Sequence, residues 1–331
     1  MIGRRQFIAG LGNAAVWPVV ARAQQGQRLR RIGMLMALEE ADPEAKGHLY
    51  TFTKRLAELG WINGRTARME VRWAGDSVER ARMYAKELVE LQPDVILADS
   101  TPQAAALHQV TRVIPVVFVL VSDPVGMGLI AGLPRPGGNF TGFVPQEPTM
   151  ARKWLELLTE VAPGVKRVAI IFNPDTTPYI EPEYLPQFEA AARFFKVTLL
   201  SAPVRSDAEI ESVITSLARD PGGGIIAAPG SFMNAHRSIV ISLSARNNIP
   251  AVYTSPIYVR DGGLLSYGTD LEDTFRRAAL YVDRILRGTS PVELPVQLPV
   301  KFETTVNLKT AEALGLTIPE TLLATADEVI Q

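Results

Sequence analysis

Short polar segments follow the buried apolar runs of this chain, and they hold residue types that bind small molecules. Ser100 and Thr101 close the run VILAD and stand before Pro102, so either hydroxyl can cap a helix that starts at the proline. The first turn of such a helix presents free backbone N–H groups, which suit a carboxylate, a hydroxyl or a ring substituent. A single turn of this kind favours simple helix capping over a binding site.

Four further apolar runs end in the same way, and ligands of open parallel sheets bind at the carboxyl ends of the strands. Five such ends facing one another favour a cleft between two lobes, with tyrosines as apolar walls that carry a polar handle. The residues predicted to line this cleft are Met36, Ser100, Thr101, Ser122, Asp123, Asn173, Tyr179, Gly230, Ser231, Tyr253, Tyr267 and Asp270.

Two roles stay open for Asp270, which follows the strand-like run LLSYGT. Its carboxylate could hold the ammonium group of a ligand, or it could cap the helix that begins at Leu271. Tyr267 leaves the same run and is the strongest aromatic candidate for the cleft wall.

Motifs of enzymes and cofactor sites are absent from the sequence. No G-x-G-x-x-G, P-loop, H-E-x-x-H or G-x-S-x-G segment occurs, and the lack of cysteine excludes thiol catalysis and thiolate metal sites. His48, His108 and His236 have no metal-ligand spacing, which favours surface or helix-face roles. The sequence therefore predicts a protein that is not an enzyme and has no cofactor and no metal, although an enzyme stays an open alternative.

The first 23 residues have the three-part pattern of an export signal. Arg4 and Arg5 precede a weakly apolar run from Phe7 to Val20, which ends in Ala-Arg-Ala at 21–23. The arginine pair resembles a twin-arginine signal, and the general secretory route stays open. With no cysteine after Ala23 to carry a lipid, we expect a soluble, exported protein in the periplasm.

Composition indicates a globular chain that is long enough for two domains, since 331 residues are 47% hydrophobic and 21% charged. The net charge is -1, and without the three arginines of residues 1–23 it becomes 31 minus 35, or -4. This balance offers no electrostatic attraction for nucleic acid or anionic lipid. No sustained coiled-coil repeat occurs, so we expect a monomer.

Apolar runs alternate with amphipathic segments, which is typical of parallel sheets covered by helices. Three runs recur at offsets of 136, 130 and 135 residues: RIGMLMAL and RVAIIFNPDT, DVILADSTP and GIIAAPGSF, and IPVVFVLVSDPVGMG and IPAVYTSPIYVRDGG. We therefore predict an α/β fold of two Rossmann-like lobes, residues 29–144 and 147–262, with a Pro- and Gly-rich hinge at 133–148. Part of 264–295, read as one more strand and helix, should return to the first lobe and part of 300–331 to the second, which makes a multi-crossover hinge.

Long segments of the chain resemble ABC transporter substrate-binding proteins of the tryptophan/tyrosine-type family. They are ELGWINGRTARMEVRWAGDSVERARMYAKELVELQPDVILADSTPQAAAL, SDPVGMGLIAGLPRPGGNFTGF, IFNPDTTPY, GGLLSYGTDLEDTFRRAALYVDRILRG and NLKTAEALGLTIP. The resemblance implies the periplasmic binding protein type I fold, whose lobes close on a small molecule and deliver it to an ABC permease in the inner membrane.

The resemblance also implies a ligand class, because characterised relatives bind aromatic amino acids. We expect an aromatic amino acid or a related aromatic or amphiphilic acid. The segments ADSTPQ, AAPGSF and YTSPIYV differ from the common pattern of the family, so ligand choice should depend on them. An exported α/β enzyme and a ligand-binding component of a sensory system remain alternatives.

Overall fold

The computed structural model describes residues 29–145 and 147–331, and its first sheet is built from five parallel strands. The strands lie in the order β2-β1-β3-β4-β5, the crossover pattern of an open doubly wound sheet. Their bounds are β1 Arg30–Met36, β2 Ala67–Trp73, β3 Val95–Asp99, β4 Val116–Val119 and β5 Phe140–Phe143.

The second sheet has seven strands in the order β12-β11-β10-β9-β8-β6-β7. Their bounds are β6 Arg167–Phe172, β7 Thr198–Pro203, β8 Gly223–Ala227, β9 Ala251–Tyr253, β10 Leu265–Thr269, β11 Phe302–Asn307 and β12 Glu328–Ile330. The pair β10/β11 is antiparallel, with Thr269 opposite Phe302. The second sheet is therefore mostly parallel with one antiparallel pair among the described strands, because the chain re-enters the sheet at the end where β10 left it.

Twelve α-helices cover these sheets within the part of the chain that the structure describes. They are α1 Pro43–Glu58, α2 Val78–Glu90, α3 Thr101–Val110, α4 Met150–Val161, α5 Leu185–Phe195, α6 Asp207–Ala218, α7 Ser231–Ala235, α8 Arg237–Arg246, α9 Pro256–Arg260, α10 Leu271–Leu286, α11 Leu308–Ala313 and α12 Glu320–Thr325. A π-helical turn, Ile180–Tyr184, precedes α5, and a 3-10 turn, Pro291–Glu293, follows α10. Side-chain caps fix several starts: Asp42, for example, accepts hydrogen bonds from two N–H groups of α1.

Each sheet has an apolar core on both faces, as an α/β layered fold requires. In the first lobe, Phe52 of α1 and Phe275 of α10 pack on one face, and Leu88 and Phe118 belong to the core on the other. In the second lobe the two cores are built around Trp154 and around residues of β9, α6 and α8. The predicted fold of two α/β lobes is confirmed.

The chain passes between the lobes three times: between β5 and α4, between β10 and α10, and between α10 and β11. Strand β10 lies in the second sheet and α10 packs on the first lobe, so the helix is the part of 264–295 that contacts the first lobe. After α10, Gln297 exchanges backbone hydrogen bonds with Gly142 and Val144 and thereby holds the connection against β5. These crossings limit the relative movement of the lobes to bending.

The Pro- and Gly-rich stretch 133–148 is not hinge throughout, because Phe140–Phe143 forms β5. Gly142 is needed there for packing, since a Cβ at this position would collide with the carbonyl oxygen of Phe118 on β4. The Pro and Gly content thus predicted a hinge over residues that form a short, fully buried strand.

The predicted export signal, residues 1–23, lies outside the described residues. Among residues 29–145 and 147–331 we find no helix with the length and apolar character needed to span a membrane.

Candidate functional site

A cavity lies between the lobes at the carboxyl ends of both sheets. Residues from each lobe and from the crossing segments line it. They are Ala37, Leu38, Glu44, His48, Asp99, Ser100, Leu120, Pro145, Tyr179, Pro229, Gly230, Ser231, Asn234, Thr254, Ser255 and Leu271. We call the lining residues of the first lobe the first wall and those of the second lobe the second wall.

The first wall is built around Asp99, the last residue of β3, whose surface is only 3% exposed. Its Oδ2 accepts a hydrogen bond of 3.2 Å from the backbone N–H of Ala37, just beyond β1. Its Oδ1 is buried and has no hydrogen-bond partner within the described part of the chain. Burial raises the pKa of Asp99 to about 6, against a smaller opposing effect of His48.

Helix α1 adds Glu44 and His48 to the first wall, one helical turn apart on the same face. Glu44 Oε1 accepts a hydrogen bond of 3.0 Å from the hydroxyl of Ser255, whereas Oε2 is buried without a partner among the described residues. Burial raises the pKa of Glu44 to about 7. The His48 ring stacks on Phe275 at 4.4 Å, and burial lowers the pKa of His48, which keeps the ring neutral at neutral pH.

The second wall has uncharged polar groups instead. Gly230, Ser231, Asn234, Thr254 and Ser255 follow strands β8 and β9 and present hydroxyl, amide and backbone groups to the cavity. Ser231 is 5% exposed, and its Oγ has no partner among residues 29–145 and 147–331. The second wall can therefore donate and accept hydrogen bonds without supplying charge.

Tyr179 lines the cavity from the loop after β6. Burial raises the pKa of Tyr179 to about 12, and interactions with the hydroxyls of Ser122 and Thr101 of the first lobe oppose that rise. The phenol therefore stays protonated and can donate a hydrogen bond.

Ion pairs also connect the lobes around the cavity. His236 of the second lobe lies 3.0 Å from Asp76 of the first and 2.5 Å from Asp207. Arg237 contacts Asp42 of the first lobe at 2.8 Å and Asp261 of its own lobe at 2.7 Å. The two lobes are thus held together over the cavity.

The structure brings four of the predicted site residues to the cavity lining: Ser100, Tyr179, Gly230 and Ser231. Thr101 and Ser122 are buried but do not belong to this lining. Ser100 occupies the N-cap position of α3 with φ +84°, outside the usual capping conformation, and its side chain makes no capping bond. The expected cap hydrogen bond is therefore wrong, and a strained backbone of this kind is characteristic of functional sites.

The other predicted site residues have structural contacts outside the cavity lining. Met36 lies in the core of the first lobe, and Asn173 shapes its loop by accepting hydrogen bonds from the N–H groups at 175 and 176. Tyr253 stacks on Tyr258 at 4.6 Å inside the second lobe, where burial raises its pKa. Asp123 interacts with Glu183, a contact between the lobes.

Tyr267 and Asp270 mark the crossing from β10 to α10. Tyr267 stacks on Phe302 at 5.8 Å, and its carbonyl accepts a hydrogen bond from the Trp154 indole. Asp270 caps α10 by accepting from the N–H of Asp273, and it pairs with Lys301 at 2.6 Å. Of the two roles that were open for Asp270, the structure shows the cap.

The sequence reasoning missed the three titratable residues of the first wall. Asp99 was one residue before the predicted Ser100, and its position at a strand end was the available signal. Glu44 and His48 are four residues apart on α1, a spacing that places them on one face of the helix. The sequence favoured a surface or helix-face role for His48, whose surface is only 7% exposed in the structure. In the described residues no group of three or more acids and histidines is arranged to hold a metal ion.

The family model for ABC transporter substrate binding proteins matches residues 42–330, which is most of the chain. The chain belongs to the ABC transporter substrate-binding protein family. The family predicted from the sequence is thereby confirmed, and its members are substrate-binding proteins.

Three similar proteins, two of them with a described ligand, match about nine-tenths of this chain. A tyrosine-binding protein of Clostridioides difficile (strain R20291) is 26% identical over 294 residues, or 88% of this chain and 82% of that protein. The ABC domain of Streptococcus pneumoniae in complex with L-Trp has a TM-score of 0.83 and 25% identity, covering 91% of this chain and 100% of that one. A conserved domain protein of Vibrio cholerae has a TM-score of 0.84 and 27% identity over the same shares.

Proposed function

We propose that this protein is the periplasmic binding component of an ABC importer and that its ligand is a small molecule held between the lobes. The observation that carries the proposal is the cavity, because both lobes line it and its lining residues Asp99, Glu44 and Ser231 each have a buried oxygen without a hydrogen-bond partner among the described residues. The export pattern of residues 1–23 supports a periplasmic location.

The ligand class we propose is that of aromatic amino acids and related amphiphilic molecules. A relative described as a tyrosine-binding protein and a solved structure in complex with L-Trp support this class. The cavity lining also supports it, because polar residues line the cavity together with the apolar residues Leu38, Leu120 and Leu271. Tyr179 supplies an aromatic surface with a hydrogen-bonding tip.

The proposed mechanism is closure of two lobes around the ligand. Ligand enters while the lobes are apart, and Ser231, the start of α3 and the Tyr179 phenol bind its polar groups. Contacts such as Asp42–Arg237 then form between the lobes and create the surface that a membrane permease recognises. The protein acts as a monomer in this scheme, and the ligand leaves unchanged.

Thermal unfolding with candidate ligands tests this function. Protein freed of co-purified ligand is heated with aromatic amino acids, aromatic acids, branched amino acids and sugars. A ligand at about 100 times its Kd adds about 2.7 kcal/mol, which raises the Tm by several degrees. We expect such a rise for an aromatic compound that is recovered intact; chemical conversion of the compound would contradict the proposal.

A matched pair of variants assigns the binding to the cavity. Ser231→Ala removes a buried hydroxyl without a protein partner, so it should weaken ligand binding and leave the ligand-free Tm almost unchanged. Ser216→Ala on the exposed side of α6 is the control and should change neither value. Equal ligand affinity in both variants would remove Ser231 from the site.

A further inference from the structure

Two carboxyl groups of the first wall are arranged alike. Asp99 is held through Oδ2 by the N–H of Ala37, and Glu44 is held through Oε1 by the hydroxyl of Ser255. In each, the second oxygen is buried and has no hydrogen-bond partner in the described part of the chain. The protein therefore orients each carboxyl with one donor, and both residues line the cavity.

Neither of these two oxygens is paired with a lysine or an arginine in the described part of the chain. Neither lysine nor arginine is among the residues that line the cavity. Arg237 is already paired with Asp42 and Asp261, and Arg260 is paired with Glu328 at 2.7 Å. A ligand carboxylate placed beside Asp99 would meet like charge, whereas a protonated amine would supply the missing partner.

We infer that Asp99 and Glu44 together form the binding site for a positively charged nitrogen, so that the ligand of this cleft carries a protonated amine. The inference rests on the proposed function, and it names the group by which the ligand is selected. It excludes the aromatic acids without an amine that the broader ligand class contains.

Amine binding at these two carboxyls should be coupled to proton release. The pKa of Asp99 is raised to about 6 and that of Glu44 to about 7, mainly by burial, so near pH 6.5 the two empty carboxyls together hold about one proton. A bound ammonium favours both ionised forms, and binding should therefore release close to one proton at pH 6.5 and almost none at pH 8.5.

The other charged groups near these acids are accounted for. His48 faces Asp99 and is kept neutral by burial, and Asp42 and Glu272 add negative charge beside His48. Arg237 and Arg260 act on Glu44 from the second lobe but remain in their own ion pairs. None of these groups supplies a free cation to the two carboxyls.

Three compounds with the same 4-hydroxyphenyl ring test the inference. Tyramine carries only the amine, 3-(4-hydroxyphenyl)propanoate carries only the carboxylate, and tyrosine carries both groups. Titration calorimetry on the full chain at pH 6.5, in two buffers of different ionisation enthalpy, gives affinity and proton release. We expect the two amines to bind about 10- to 100-fold more tightly than the acid and to release about one proton.

Asp99→Asn provides the matched test on the protein, because the amide oxygen can still accept from Ala37 while the charge is lost. We expect it to lower the affinity for the amines at least tenfold and to reduce the proton release. Asp220→Asn on the exposed surface of the second lobe is the control and should bind as the unchanged protein does.

Each outcome decides the inference separately from the proposed function. Equal or tighter binding of the propanoate, or unchanged amine affinity in Asp99→Asn, overturns the inference while the binding function stands. If no compound with this ring binds, putrescine, isoamylamine and the acids of matching carbon skeleton are measured next. Binding by the acids alone or by none of the amines overturns the inference, and chemical conversion of a bound compound contradicts the function instead.

Discussion

The two walls of the cleft have different chemistry, although the lobes that carry them have related folds. The first wall holds Asp99, Glu44 and His48, all buried and titratable. The second wall holds hydroxyl and amide groups that stay neutral at any physiological pH. The two lobes therefore present different groups to the cavity, titratable ones from the first and uncharged hydrogen-bonding ones from the second, which a duplicated fold alone does not require.

The first prediction removes a titratable group from the first wall by replacing Glu44 with glutamine. Its pKa is about 7 in the folded protein against an ordinary value of 4.5 in an unfolded chain, so ionisation opposes folding once the pH rises above 4.5, and the cost is complete above 7. Glu44→Gln should therefore raise the free energy of unfolding by about 3 kcal/mol at pH 8.5 and leave it unchanged at pH 4.

Urea unfolding at the two pH values measures this effect. Glu90→Gln at the exposed end of α2 serves as the control and should change the free energy of unfolding by less than about 0.5 kcal/mol. Equal stability of Glu44→Gln and the unchanged protein at pH 8.5 would show that the first wall carries no unpaired charge.

The second prediction changes the shape of the second wall. A Cβ at Gly230 would lie 2.5 Å from Cγ2 of Thr177, so Gly230→Ala forces β8 and the loop after β6 apart. We expect a loss of about 1–3 kcal/mol in the free energy of unfolding and weaker ligand binding. Gly132→Ala, which meets no atom within 4 Å, is the control; an equal loss there would refute the steric explanation.

The third and smallest prediction concerns the contacts that connect the walls. Hydrogen bonds to Asp76 and Asp207 raise the pKa of His236, so its ion pairs are complete below the ordinary pKa of 6.5 and are lost as the pH rises through the folded value. The pKa of Glu183 is raised to about 7 by burial and by Asp123, and its proton is lost in the same direction. Closure should weaken from pH 6 to pH 8.5 by about 1 kcal/mol or less.

Fluorescence transfer between dyes on the two lobes measures this closure. His236→Asn should flatten the dependence on pH, whereas His108→Asn, whose ring packs edge-on against Phe140 inside the first lobe, should retain it. A closure that strengthens toward pH 8.5 in the unchanged protein would contradict the assignment of these contacts.

The lobes and most strands could be predicted from the sequence because apolar runs and strand-end residues repeat along it. The antiparallel β11 could not, since its direction depends on where the chain re-enters the sheet and not on local pattern. Strand β5 was hidden because Gly142, which signals a turn in sequence, is required there by the close approach of Phe118.

The location of the candidate site at the strand ends could be predicted from the sequence, but several of its lining residues could not. Ser100, Gly230 and Ser231 were found because strand ends of parallel sheets converge. Asp99 and Glu44 were missed because burial decides whether a carboxylate is an ordinary surface charge or an unpaired one. Burial depends on tertiary packing, such as the contact of Glu44 on α1 with Ser255 of the second lobe. Tyr253 was predicted to line the cleft, but its ring belongs to a hydrophobic core of the second lobe.

Helix α10 has a consequence for how the molecule is made. Its residues Phe275, Ala278 and Val282 complete the core of the first lobe, whose strands end at Phe143. In a chain that is synthesised at about 5–20 residues per second, the part of the first sheet that α10 covers stays without its helix for roughly 7–30 seconds before Leu286 is added. The lobe whose strands are synthesised first therefore receives the last helix of its core after all but two strands of the other lobe.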